Sequence, residues 1–206
     1  VRTLDAYAEA QQMYDFRLVS TIGFDETDAA KIAADSRVAA CEGTKSADAL
    51  TSTAGGASRA CKFLSLPETL DLPSLKAGRL PQTADECLAD GMLYSEQDLG
   101  QKLVLSEEND DDTLGQFTRR EFTIVGIAKS ALYINYERGS TSVGSGSLSA
   151  FVYVLPEAFD FDYDTELYLR LTDRAGEIYS DEYKAHIDDA EPWVTALAEQ
   201  CADDRG

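Results

Sequence analysis

Four cysteines and one histidine are the residues of this chain with the widest chemical repertoire. The cysteines lie at Cys41, Cys61, Cys87 and Cys201. Their separations are far from the C-x-x-C spacing of zinc and redox sites, and one histidine cannot complete a zinc ligand set. An even number of cysteines fits disulfides in an extracytoplasmic setting, with three pairings possible, and buried free thiols are the open alternative.

A serine or cysteine nucleophile normally needs a neighbouring base, and His186 is the only imidazole in the chain. It stands two residues before Asp188 in a predicted helix, where an exposed polar face accounts for it. Many carboxylate pairs are possible among 38 acidic residues, but no spacing singles one out. We therefore predict no catalytic residues.

Two segments superficially suggest ligand sites. Residues 43–46 (Gly-Thr-Lys-Ser) resemble the end of a phosphate-binding loop, but Thr44 separates the glycine from the lysine and the upstream glycine is missing. Residues 107–112 (Glu-Glu-Asn-Asp-Asp-Asp) are rich in oxygen ligands, yet they lack the alternating spacing, central glycine and final glutamate of an EF-hand. We predict a solvated turn there, with no cofactor and no metal.

The chain is strongly acidic, with a net charge of -20 at pH 7. Such a charge opposes contact with phosphate backbones and anionic lipid head groups, so nucleic acid is a poor candidate partner. No apolar run reaches the length of about 18 residues that a membrane helix needs. Because the sequence begins at Val1, inside a helical pattern, we interpret it as a segment of a longer protein.

Hydrophobic periodicity predicts a mixed α and β architecture. Helices are predicted over residues 3–13 and 26–35, and strands over 15–22 and 37–40, followed by a β-hairpin with arms at 44–50 and 59–66. Further strands are predicted at 103–106, 121–129, 151–155 and 166–172. Residues 139–149 have the Gly/Ser composition of a mobile loop.

The last segment changes to helical spacing, with an apolar seam from Tyr183 to Cys201. Pro192 lies inside this seam, where it removes one backbone hydrogen bond, so we predict a kink or two shorter helices. Two glycines are interpreted as structural. Gly78 permits a turn before Arg79, and Gly126 marks a bulge or a close backbone approach within a strand.

Short motifs in a fixed order resemble the extracytoplasmic domain of FtsX-like ABC transporter permeases, the MacB-like periplasmic core domain family. The motifs are residues 78–79 (Gly-Arg), 87–88 (Cys-Leu), 99–103 (Leu-Gly-Gln-Lys-Leu), 122–127 (Phe-Thr-Ile-Val-Gly-Ile) and 152–156 (Val-Tyr-Val-Leu-Pro). Residues 18–23 (Leu-Val-Ser-Thr-Ile-Gly), with the helix and strand that follow, resemble the first strand-helix-strand unit of the family. Leu155 before the proline and the Gly/Ser-rich segment after Arg138 depart from the pattern.

The resemblance implies an α+β fold with terminal stalk helices. A βα-rich, membrane-proximal subdomain would comprise residues 1–70 and 150–206, and an inserted β-rich subdomain residues 71–149. The domain would lie on the extracytoplasmic face of the bacterial membrane as part of an integral membrane protein. It would be non-catalytic and would couple ATP-driven stalk motion to export or to a cell-surface partner.

The implied partners are the membrane helices of the parent chain, a cytoplasmic ABC ATPase that hydrolyses the nucleotide, a second permease copy, and a peptide, lipid or protein substrate. The alternative from the residues alone is a secreted acidic hydrolase or ligand-binding domain, which would contain a defined polar pocket.

Overall fold

A computed structural model describes residues 14–54, 56–130, 148–172 and 180–205. In chain order, the strands within these ranges are β1 (Phe16–Phe24), β2 (Val38–Thr44), β3 (Ser46–Ser52), β4 (Arg59–Ser65), β5 (Ser74–Gly78), β6 (Glu86–Asp90), β7 (Lys102–Leu105), β8 (Glu121–Lys129), β9 (Ala150–Val154) and β10 (Asp164–Leu171). The α-helices are α1 (Asp28–Ala33), α2 (Asp111–Gly115) and α3 (Asp181–Arg205). Two short 3-10 helices occupy Glu96–Asp98 and Pro156–Ala158.

The chain forms two compact units. Unit 1 takes its described residues from Val1–Gly43, Thr69–Asp71 and Tyr163–Gly206, and unit 2 from Thr44–Glu68 and Leu72–Asp162. The predicted α+β class is confirmed: unit 1 combines a sheet with helices from early and late chain segments, and unit 2 is β-rich and lies between them in sequence. The predicted helix over residues 3–13 lies outside the described residues, as does most of the predicted mobile loop.

Unit 1 contains a three-stranded sheet in the order β1-β10-β2, with β1 antiparallel to β10. The strand-helix-strand unit predicted from the sequence is therefore split by a strand from the end of the chain. Residues of β10, α1 and α3 share one apolar core, in which Ile32, Leu167, Leu169 and Val194 are at most 1% exposed. Their burial supplies the main stabilisation of this unit.

Helix α3 is continuous through Pro192, so the predicted alternative of two shorter helices is wrong, while the alternative of a kink stays a prediction. Pro192 lies on the exposed face of α3, and the residue whose carbonyl loses its partner, Asp188, is also exposed. Water can satisfy that carbonyl, while Ala190 and Val194 remain buried on the opposite face. Packing of the apolar seam thus outweighs the local cost of the proline.

Unit 2 is built on a closed sheet. Its strand order is β5-β8-β6-β9-β4-β3-β7, and β7 pairs with β8 as well as with β3, so six strands form a ring while β5 extends the sheet beside β8. The inside holds an aromatic cluster of Phe63, Phe117 and Phe122, with ring centroids 5.0 to 6.4 Å apart. Within the ring every strand pairs on both sides, and unpaired edges of the kind that invite aggregation are thereby avoided there.

Gly126 lies at a close backbone approach, as predicted, and the structure shows that Gly78 lies opposite it in the same crossing. Gly78 has a φ of 72°, and a methyl group there would overlap the carbonyl oxygen of Val125. A methyl group at Gly126 would overlap the carbonyl oxygen of Arg79 and come within 2.5 Å of Leu88 Cδ2. Register shifts in the β5–β8 and β6–β8 pairings accompany this approach.

The acidic connection between β7 and β8 is not a fully solvated turn, which corrects the prediction. Asn109 is buried, with 7% of its surface exposed. Its Nδ2 donates to the carbonyls of Leu50 and Ser106, at 2.9 and 2.8 Å, and its Oδ1 accepts from Leu50 N at 2.8 Å. One amide side chain therefore fixes the connection to β3, while the charged residues beside it remain exposed.

The compact units divide the chain at other positions than the subdomains expected from the sequence. Residues 44–68 and 150–162, which the expectation assigned to the first subdomain, group with unit 2. The reason is strand pairing, because β4 pairs with β3 on one side and with β9 on the other, so all three belong to the closed sheet. A membrane-proximal position for unit 1 stays a prediction.

Candidate functional site

All four cysteines are free thiols in the structure, and three of them, Cys61, Cys87 and Cys201, are buried. Burial raises the pKa of Cys41 to about 12 and that of Cys61 to about 11, and it raises the pKa of Cys87 further. Since the thiolate is the reactive form of cysteine, the thiols of Cys41, Cys61 and Cys87 are unreactive at neutral pH. The sequence left open whether the cysteines form disulfides or remain free thiols, and the structure has free thiols.

His186 lies on α3 in unit 1 and is half-buried, so the expected exposed position is wrong. Its Nε2 is shielded from solvent and has no hydrogen-bond partner among the described residues. A general base needs hydrogen-bond reach to the proton that it abstracts. No serine or cysteine in the described ranges makes that contact with His186.

The acidic connection contains a helix cap in place of a calcium loop. Asp110 precedes α2, and its side chain accepts a hydrogen bond from Thr113 N at 2.7 Å. This bond, together with the interaction with the Thr113 side chain, lowers the pKa of Asp110. Among the described residues, no group of three or more His, Cys, Asp or Glu side chains is placed to hold a metal ion.

Among the described residues of unit 1, a polar site joins distant parts of the chain where β1, β10 and α3 meet. We call it the strand–helix junction and define it by Tyr14, Asp15, Asp71, Leu171 and Tyr183. Asp15 is its centre. One carboxylate oxygen accepts from Leu171 N at 2.7 Å, and the other accepts from the Tyr183 hydroxyl at 2.8 Å. Asp15 N also donates to Leu169 O at 2.6 Å.

A second carboxylate completes the strand–helix junction. Asp71 is buried and adopts a left-handed conformation with a φ of 55°, which is uncommon for a residue with a side chain. Its Oδ1 accepts from Tyr14 N at 2.9 Å. The residue preceding Asp15 is thus held by a distant turn, and the chain enters β1 in a fixed direction.

Polar pairing continues along β1 and β10. Glu166, with 3% of its surface exposed, accepts from Arg17 Nη2 and from the Tyr168 hydroxyl, both at 2.5 Å. The Tyr168 ring meets the Tyr14 ring edge-on, with centroids 4.9 Å apart. A buried carboxylate with two donors, one of them a cation, is well satisfied, so this group is a structural element of the strand pair.

Sequence reasoning placed Tyr183 in the apolar seam and residue 15 at the start of a strand, but it did not predict that Asp15, Asp71 and Tyr183 form one polar site. Asp71 is 56 positions and Tyr183 is 168 positions from Asp15 in the chain, so no local spacing connects them. The one local signal is a polar residue directly before an apolar strand, which also occurs at ordinary strand ends.

No protein-family model matches this chain, and none of the curated proteins matches it. Solved structures, in contrast, are similar to this chain. One is the periplasmic region of MacB from Actinobacillus actinomycetemcomitans, with 11% sequence identity, coverage of 88% of this chain and 76% of that chain, and a TM-score of 0.43.

Two others have comparable scores. A domain of a putative permease protein from Porphyromonas gingivalis has 15% identity, coverage of 75% of this chain and 71% of that chain, and a TM-score of 0.45. The extracellular domain of the noncanonic ABC-type transporter YknZ from Gram-positive bacteria has 8% identity, coverage of 75% of this chain and 76% of that chain, and a TM-score of 0.44.

Within the described ranges, no helix combines the length and the apolar character that crossing a membrane requires. The motifs in this sequence resemble the MacB-like periplasmic core domain, and the periplasmic region of MacB is among the structures to which the chain is similar.

Proposed function

We propose that this chain is the extracytoplasmic domain of an ABC transporter permease, and that it transmits ATP-driven motion to a substrate or a cell-surface partner without catalysing a reaction itself. It would act with the membrane helices of its parent chain, a cytoplasmic ATPase and a second permease copy. A peptide, lipid or protein is the expected class of substrate, and unit 1 is the part expected to face the membrane.

The strand–helix junction is the observation that supports this proposal best. Asp15 connects the start of β1, the end of β10 and the first turn of α3 through three hydrogen bonds of 2.6 to 2.8 Å. A displacement of α3 along its axis therefore pulls directly on both strands. Conformational change propagates through packed elements and hydrogen-bond networks of this kind.

The chemistry of the described side chains supports a non-catalytic role. The thiols of Cys41, Cys61 and Cys87 are kept protonated by burial, and the polar groups at the strand–helix junction are engaged with one another. No contact among the described side chains specifically favours the alternative that the chain is a hydrolase.

The test uses the full-length parent protein, reconstituted with its ATPase in lipid nanodiscs. A spin label at Thr195, which is exposed on α3, reports the distance between the two permease copies by electron paramagnetic resonance. We expect this distance to change when ATP is trapped in the ATPase. Asp15→Ala should uncouple the change from transport while ATP hydrolysis continues, and Asp203→Asn, an exposed carboxylate of the same helix, should leave coupling intact.

Two results would refute the proposal. One is a parent protein without membrane-spanning helices. The other is an α3 separation that stays the same in the nucleotide-free and ATP-trapped states.

A further inference from the structure

Unit 2 contains a small pocket at one end of its closed sheet. It has a volume of about 200 Å³ and is formed by the end of β3, the start of β4 and the turns after β6. The side chains that matter for its chemistry are Thr51, Ser52, Thr53, Arg59, Leu93 and Tyr94. Nothing in the proposed transport function requires this pocket, and none of these residues belongs to the strand–helix junction.

The floor of the pocket is polar but uncharged. Thr51 is fully buried, and its Oγ1 lies 3.3 Å from Cys61 Sγ. Burial raises the pKa of the Tyr94 phenol, so this phenol remains protonated. Burial likewise keeps the Cys61 thiol neutral, with a pKa of about 11. The floor therefore offers hydroxyl groups without any negative charge that would repel an anion.

The rim of the pocket supplies an uncommitted cation. Arg59 is exposed, and throughout the described ranges its guanidinium makes neither an ion pair nor a hydrogen bond. The hydroxyls of Ser52 and Thr53 make no hydrogen bonds with described groups either. A guanidinium presents five N–H donors in a planar fork that matches a carboxylate.

The one acid at the rim, Asp98, is already engaged. Its Oδ2 accepts from Ser95 N at 2.8 Å, as part of a reciprocal cap on the short helix that begins at Glu96. Asp98 keeps its negative charge, and Arg59 is the only cationic side chain among the described residues that line the pocket. The planar fork of donors on the Arg59 guanidinium favours an anionic, planar acceptor.

We infer that this pocket binds a small carboxylate, with the Arg59 guanidinium holding the carboxylate and Leu93 contacting the apolar part of the ligand. Pockets for drug-sized ligands have volumes of roughly 300 to 1,000 Å³, so the space here fits a group of only a few carbon atoms. Both a free short-chain acid and the C-terminus of a peptide carry this group. The overall charge of -20 does not prevent binding, because charges beyond about 10 Å are largely screened at physiological salt.

The test is a titration of the ¹⁵N-labelled 206-residue chain with sodium propionate, followed by amide NMR at constant ionic strength set with sodium chloride. Propionamide, which has nearly the same shape and no charge, is the matched ligand control. We expect saturable shifts at the amides of Ser52, Thr53, Arg59 and Tyr94 with propionate, and none with propionamide.

The variant Arg59→Gln should weaken propionate binding about tenfold or more, which is the usual range for losing a charge-assisted pair. Arg119→Gln, in the same unit but ion-paired with Asp85, should bind propionate like the parent chain. Arg59 is exposed, so its replacement should leave the spectrum dispersed and the fold intact.

Binding of N-acetylalanine as well as propionate would indicate that the pocket accepts a peptide C-terminus, and binding of propionate alone would indicate a free acid. The inference is overturned if propionate causes no saturable shift, if propionamide shifts the same amides equally, or if Arg59→Gln binds as tightly as the parent chain.

Discussion

At the scale of single residues, the crossing of Gly78 and Gly126 has the shortest contacts among the described glycines of unit 2. Gly126→Ala places a methyl group against the carbonyl oxygen of Arg79 and the Leu88 side chain. Overpacking of this kind typically costs about 1 to 3 kcal/mol. We expect a loss of that size in the free energy of unfolding, measured from urea denaturation midpoints.

The matched control for this substitution is Gly115→Ala at the end of α2. A methyl group at Gly115 meets nothing within 4 Å, and alanine is the better helix former. Stability should stay the same or rise slightly. If Gly126→Ala proved as harmless as Gly115→Ala, the close backbone approach would be wrong.

The turn between β5 and β6 carries a pH-sensitive ion pair. Arg79 Nη1 donates to Glu86 Oε1 at 2.9 Å, Arg79 Nη2 contacts Oε2, and Gln82 N also donates to Oε1, at 2.8 Å. These contacts, led by the Arg79 hydrogen bonds, lower the pKa of Glu86 from 4.5 to about 2. Because the folded-state pKa is the lower one, the stabilisation is complete above pH 4.5 and is lost as the pH falls toward 2.

Glu86→Gln should therefore be less stable than the parent chain at neutral pH, and the difference should shrink between pH 4.5 and 2. Thermal unfolding of both proteins across this range measures the difference directly. Glu107→Gln is the control, since Glu107 is exposed and forms no ion pair with the described residues. A difference for Glu86→Gln that does not vary with pH would show that the ion pair is not formed.

At the scale of elements, Asn109 attaches the acidic connection to β3. Asn109→Asp keeps the shape but replaces the Nδ2 donor with a second acceptor facing the carbonyls of Leu50 and Ser106. Leaving buried groups unsatisfied costs about 1 to 3 kcal/mol. We expect that loss in urea denaturation, with none for the exposed neighbour Glu108→Gln. Equal stability of the two variants would contradict the buried position of Asn109.

Helix α3 should become more stable when its proline is removed. Pro192→Ala restores a donor to the carbonyl of Asp188 and relieves the clash with the preceding turn, effects worth up to about 3 kcal/mol. Pro192 is exposed, so no packing is lost in exchange. A rise in the melting temperature is expected, with no rise for Glu191→Ala. A lower melting temperature for Pro192→Ala would mean that the proline has a tertiary role.

Local pattern predicted most of the elements, and the exceptions have identifiable causes. The strands β1, β4 and β8 alternate or concentrate apolar residues, so their sequences alone locate them. Strand β5 is short, and its Leu75 and Lys76 are exposed, so it has almost no pattern to detect. Ring closure depends on the pairing of β7 with two partners, a non-local register that composition does not encode.

At the scale of the whole molecule, the strand–helix junction and the pocket both depend on contacts between residues that are far apart in the sequence, whereas most strands and helices follow local patterns. The strand–helix junction joins residues from three distant parts of the chain, and the pocket joins β3 and β4 to turns about 40 residues later. The sequence contains two segments with ligand-motif composition, residues 43–46 and 107–112, and the absence of a cofactor or metal at them stays a prediction. It contained no signal for Arg59 or Asp15, because their roles arise from neighbours that only folding supplies.

The net charge of -20 predicts how the whole chain behaves at a bilayer. At low ionic strength it should be repelled by vesicles that contain phosphatidylglycerol and should float with vesicles that contain a cationic lipid, with the latter binding lost as salt is added. Flotation through a density gradient measures both, with phosphatidylcholine vesicles as the neutral control. Repulsion should weaken as the pH approaches the isoelectric point of about 4.2. Co-flotation with phosphatidylglycerol vesicles at neutral pH would instead reveal a local membrane-binding surface strong enough to overcome the overall charge.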